Sequence, residues 1–274
     1  MGKQNSNEIT LLGYSERGVM NALFYGIAYH GSENDLQKFL NLAVGEDAGS
    51  YSDFEIIMEG SLSDFGDSDA IIIAKRKNNE MDQTVFFIEA KVSNGDKNNT
   101  LENRYKEFQK DFNGNIRKEG YSSNLLYQLC LKHYLFKLTR EKEKISDLSK
   151  FKDEESLKGL IISAGCENYN DYIKLKGGNK LRKFGKNPVV HEFIKKISDC
   201  KNAHFIAILP DPKNYINKHR DSILNSDNEI IQQTDLKNNL HFVSWYQIME
   251  LEIEKLNDTI TQNKKLILIE EKQS

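Results

Sequence analysis

Asp69, Glu89 and Lys91 are the residues of this chain whose types and placement best suit chemistry. Asp69 opens an apolar run in GDSDAIII, and Glu89 and Lys91 close another in VFFIEAKV. Side chains alternate along an extended strand, so Glu89 and Lys91 project to the same face as Val85 and Phe87. A charged pair that continues an apolar stripe is costly to bury unless solvent at the strand end, or a divalent cation, compensates it. Carboxylate oxygens are hard ligands suited to Mg2+, which binds through one or two of them and completes its shell with waters and substrate phosphate. A cation so held polarises a phosphate and acidifies a bound water, and a neighbouring ammonium can orient that water and offset developing charge. The chemistry to expect is phosphodiester hydrolysis. Asp67 is the alternative to Asp69, two residues farther from the apolar run. A decoy, Glu270 and Lys272 in LILIEEK, follows a helix-like segment with no carboxylate-tipped strand before it, and is set aside.

Two further polar residues fall on apolar helix faces. Glu16 precedes Val19 and Met20 by three and four residues, and so shares their face of a helix read over Ser15–Tyr29, where Val19, Leu23 and Ile27 recur. Glutamate is rarely buried without a partner, although a first-turn position also favours it through the helix dipole. Gln128 lies among Leu125, Leu131 and Leu135 in Asn124–Leu138, too long an apolar run for one strand and so a buried helix. An amide in such a place needs hydrogen-bond partners.

Elements that could position these groups follow from periodicity. A second helix runs from Ser32 through Ala43, and strands are expected at Phe54–Glu59, Asp69–Ala74 and Thr84–Val92, separated by Gly, Ser, Asp and Asn. Short connections favour antiparallel hairpins. Farther on, Gly159–Ala164, Ala203–Leu209 and His241–Trp245 read as strands, with helices at Pro188–Asp199 and Tyr246–Ile260. Continuous apolar runs such as FIAIL point to strands covered on both faces, hence an α/β protein with a mixed central sheet flanked by helices.

Composition narrows the partners. Of 274 residues 29% are charged, and the net charge is −3, which argues against wholesale coating of nucleic acid but permits a local positive groove. Lys174–Lys186, KLKGGNKLRKFGK, holds no acid, and its Lys180, Arg182 and Lys183 are candidates to follow a phosphate backbone. Cys130, Cys166 and Cys200 lack metal or redox spacing and read as reduced thiols, while His133, His204 and His241 read as structural and Trp245 as packing on the sheet. There is no phosphate-loop signature, no apolar run long enough to span a membrane, and no apolar segment in Met1–Glu8; a cytoplasmic protein is expected.

With these residues in place, the sequence resembles the PD-(D/E)XK nuclease superfamily, which includes restriction enzymes and many repair and defence nucleases. The resemblance implies a restriction-endonuclease-like α-β-β-β-α-β core over residues 1–165, with 166–274 extending the same domain. It implies Mg2+ or Mn2+ bound by Asp69, Glu89, the Ala90 carbonyl and Glu16, with Lys91 as the motif lysine. Gln128 is similar to the helix glutamine of some branches, in which a tyrosine follows four residues later; here Lys132 stands at that position. DNA is the implied substrate, RNA being the open alternative, in restriction or antiviral defence. A second copy or a partner subunit of a defence complex is the implied assembly.

Overall fold

Five strands form one mixed sheet in sequence order. In this computed structural model β1 (Tyr51–Ser61), β2 (Asp67–Arg76) and β3 (Asn79–Ala90) make an antiparallel meander, and β4 (Cys200–Leu209) and β5 (Leu240–Ser244) then run parallel to β3. The structure describes residues 16–30, 33–45, 51–62, 65–77, 79–92, 100–113, 124–140, 188–228, 231–232 and 234–253, with isolated positions between 155 and 162. The connections explain the pairing: hairpins join antiparallel neighbours, whereas a parallel neighbour needs a long crossover, here containing α3 (Leu101–Asn113), α4 (Leu125–Thr139) and α5 (Pro188–Asp199).

Strand alternation divides the core. Ile71, Ile73, Val85, Phe87, Phe205 and Leu209 face the side covered by α3, α4 and α5, together with α6 (Lys213–Leu224). Ile72, Phe86, Ile88, Ile206 and Val243 face the other side, covered by α1 (Glu16–His30), α2 (Glu33–Val44) and α8 (Trp245–Met249). A short α7 (Thr234–Asn239) leads into β5. The protein is therefore α/β, with a mixed sheet flanked by helices, and strands from its C-terminal half complete the sheet begun by β1–β3. Among the described residues no helix is long and apolar enough to cross a membrane.

Several expectations need correction. Leu101–Asn113, too polar for its spacing to predict an element, is helical, with Leu101, Tyr105 and Phe108 turned inward. Most of Gly159–Ala164 lies outside the described residues, and its described members Gly159 and Ile162 are helical, not extended; a short apolar run serves either period. Trp245 opens a helix instead of closing a strand, because Ser244 caps that helix in a reciprocal box with Gln247. The helix then stops at Met249, not Ile260: Glu250 caps it, and Glu252 at φ +51° is in the left-handed region that ends helices.

Candidate functional site

The ladder between β2 and β3 closes with Ala70 opposite Ile88, so Asp69 and Glu89 stand across from each other one residue beyond. On the other flank Glu59 of β1 faces Asp69, between the pairs Met58–Ala70 and Gly60–Ser68. Three carboxylates thus lie in register on three adjacent strands. Like charges directly opposed are destabilising, and each of these three finds a separate partner. Glu59, at φ +52°, pairs with Arg17 of α1 at 2.8 Å. Asp69 Oδ2 accepts a hydrogen bond from the Ala90 N–H at 2.8 Å. Glu89 Oε1 lies 2.5 Å from the Lys132 ammonium.

Glu89 is the deepest of the three, 1% exposed. Burial pushes its carboxyl up to about 7; the Lys132 ammonium opposes that shift and the Asp69 charge adds to it. The Lys132 ammonium is the charged partner of Glu89 Oε1. Lys132 itself is fully buried and donates to the Asp67 carbonyl at 2.9 Å, which Gly66, at φ +78°, presents by turning the chain into β2. Motif spacing marks Lys132 only as a departure from the glutamine–tyrosine pattern. The signal that could have found it is a lysine among LLYQLCLKHYLFKL, where a buried cation demands a counter-charge.

Lys91 follows β3, fixed at both backbone ends: its N–H donates to the Ile208 carbonyl at 2.8 Å and its carbonyl accepts from the Trp245 indole at 2.9 Å. Its ammonium donates to Glu16 Oε1 at 2.8 Å. Glu16, in the first turn of α1, has its carboxyl pushed up by burial, with Lys91 opposing and Asp69 adding. The charges of Asp69 and Lys91 therefore act on both Glu16 and Glu89. Gln128 sits one helical turn before Lys132, its Oε1 buried without a hydrogen bond. Asp67 directs its carboxylate to the Ser61 hydroxyl at 2.9 Å. Lys180, Arg182 and Lys183 lie outside the described residues.

The donor set suits a hard divalent cation. Asp69 lines a cleft of about 50 Å³ together with Arg17, Asn21 and Glu59, while Glu89 is buried with one of its oxygens held by Lys132. Among the described residues no three carboxylate, imidazole or thiol groups stand close enough to enclose an ion, so a cation here would keep water or phosphate ligands, as Mg2+ commonly does.

Two further arrangements have no counterpart in the sequence pattern. His204 Nδ1 and His241 Nε2 meet at 3.0 Å across β4 and β5, with His204 stacked on Phe86. Burial holds both imidazoles down, to about 4 and about 3. Asp211, beyond β4, accepts from the Leu101 N–H at 2.6 Å at the start of α3, and burial pushes its carboxyl up to about 6. Both sets are separated by intervening residues in sequence, and only sheet register or crossover geometry brings them together. Cys130 and Cys200 are free buried thiols, raised by burial and so unreactive. No protein family, curated protein or solved structure matches the chain.

Proposed function

We propose that the protein is a divalent-metal-dependent nuclease of the PD-(D/E)XK type, hydrolysing phosphodiester bonds in DNA. The observation that carries the reading is the facing pair Asp69 and Glu89 at one end of the sheet, with Lys91 beside them tied to Glu16. The sequence of α1, the β1–β3 meander, α4, and β4 parallel to β3 supports a restriction-endonuclease-like core, to which α2 and α3 are additions.

Asp69 and Glu89 would hold Mg2+ or Mn2+, with the Ala90 carbonyl and Glu16 completing or supporting its shell. That ion, when bound, supplies a polarised phosphate and a more acidic water. Lys91 would supply an ammonium to orient the attacking water and offset the developing negative charge. Glu16 orients that ammonium, and the backbone bonds to Ile208 and Trp245 keep Lys91 from swinging away. Gln128, whose amide oxygen is buried without a hydrogen bond, would orient the lysine or substrate. A restriction or antiviral-defence setting follows from the resemblance alone.

Cleavage of DNA with Mg2+ and with Mn2+ is the direct test. Glu89→Ala and Lys91→Ala should each lower the rate by about a hundredfold or more, in samples whose folding is checked by circular dichroism. A wild type inactive on every DNA and RNA substrate would overturn the reading.

A second reading has an observation of its own. The Lys132 ammonium already neutralises much of the Glu89 charge, as a site retained for packing would require. A non-catalytic DNA-binding or protein-interaction module with the same fold would look this way. Calorimetric titration with Mn2+ separates the two: absence of binding that depends on Asp69 decides for the module.

A further inference from the structure

Lys132 is fully buried, and its single ammonium touches both strands that carry the facing acids, Glu89 on β3 and the Asp67 carbonyl on β2. Nothing in the packing of α4 requires a cation, since its neighbours Leu129, Leu131 and Leu135 are buried apolar side chains. Asp69 is different: its side chain lines the cleft shared with Arg17, Asn21 and Glu59, and its Oδ2 accepts from the Ala90 N–H. The acidic row is therefore asymmetric, with a fixed positive charge on the Glu89 side and an opening on the Asp69 side.

We propose that Lys132 is a built-in counter-cation occupying the place of a second metal, so that the site takes one divalent ion, on the Asp69 side, and not two. The inference rests on the cation site of the nuclease reading. Sites that use two metals place them within about 4 Å of each other, clamped by shared carboxylates. A shared carboxylate here would be Glu89, and Lys132 holds one of its oxygens. Lys132 is in these terms a positioning residue. It keeps Glu89 anchored against β2 before any ion arrives, and it excludes a second ion by charge and by volume.

The test is the stoichiometry of Mn2+ binding, read by calorimetry and by the resonance signal of bound Mn2+, on the full chain. Wild type should bind one Mn2+. Lys132→Ala, which removes the charge and opens space for a hydrated ion, should bind two, with the paired-ion broadening of the signal. Lys132→Met, which removes the charge but fills the space, should remain at one. Two ions in wild type, or one in Lys132→Ala, would overturn the proposal. Should Lys132→Ala fail to fold in chelator, recovery of folding on adding Mn2+ supports it, and failure under both conditions counts against it. Because the readout is binding and not cleavage, the two readings fail separately. A protein that binds as described and cuts nothing loses the nuclease reading alone. One that cuts DNA but keeps one ion in Lys132→Ala loses only the counter-cation.

Discussion

At Glu89 a proton and a cation compete for one carboxylate. Burial raises it to about 7, so Mn2+ affinity should climb as pH rises through neutrality and fall on the acid side, which calorimetry at a series of pH values would check. The sign for stability is the reverse. The folded chain holds this proton more tightly than the unfolded one, so the contribution is full below the ordinary carboxylate value of 4.5 and is lost as pH rises through about 7. Its size is on the order of 3 kcal/mol. Denaturant unfolding in chelator should show that loss as a pH-dependent gap between wild type and Glu89→Gln, and a gap constant with pH would refute it. Of the site residues, Asp69 and Glu89 could be set on neighbouring strands by alternation, and Glu16 on an apolar helix face by the helix's turn. Lys91, by contrast, lies one residue beyond β3 and meets Glu16 of α1, a pairing that alternation does not give. Lys132 was not legible, because its meaning depends on which strand end lies beneath α4, a juxtaposition that no spacing along the chain encodes.

Strands β4 and β5 join through more than backbone bonds: His204 and His241 share a half-buried contact near the register where Phe205 meets Leu240. Both imidazoles are held neutral, so the folded chain binds fewer protons than the unfolded one below about 6.5. Stability is therefore lost as pH falls from there towards about 4 and about 3. The cost of protonating the first is on the order of 3 kcal/mol. His241→Gln, which cannot take up the charge, should flatten the acid limb of a stability–pH curve, and an unchanged limb would show the pair to be irrelevant. Legibility at this scale followed chemistry. Strands β1–β3 and helices α1, α2, α4 and α5 announce themselves by apolar period and differ from expectation mainly in their ends, Phe54–Glu59 extending to Tyr51–Ser61 for instance. Helix α3 was hidden because LENRYKEFQKDFN is mostly polar, and its thin stripe of Leu101, Tyr105 and Phe108 becomes decisive only once the chain beyond β4 supplies Asp211 to bind its first N–H.

The molecule as a whole carries a net charge of −3, so long-range attraction cannot hold a polyanion; a nuclease of this composition needs its positive charge concentrated. The sheet-end site supplies part of that charge in Lys91 and Arg17, but Glu16 and Glu59 take up both. The richest remaining concentration in the sequence is Lys174–Lys186, which has no acid to offset it. Each phosphate neutralised by a lysine or arginine releases condensed counterions, so log affinity falls with log salt at roughly 0.9 per neutralised phosphate on duplex DNA. Replacing Lys180, Arg182 and Lys183 together with alanine should weaken binding across unrelated sequences and lower that slope by about 0.9 for each phosphate they had neutralised. Binding to a duplex in Ca2+, titrated over a range of salt, measures affinity and slope together. A slope equal to wild type would move the backbone-binding surface elsewhere, and weaker binding with an unchanged slope would mean that the substitutions act on the fold and not on the phosphates.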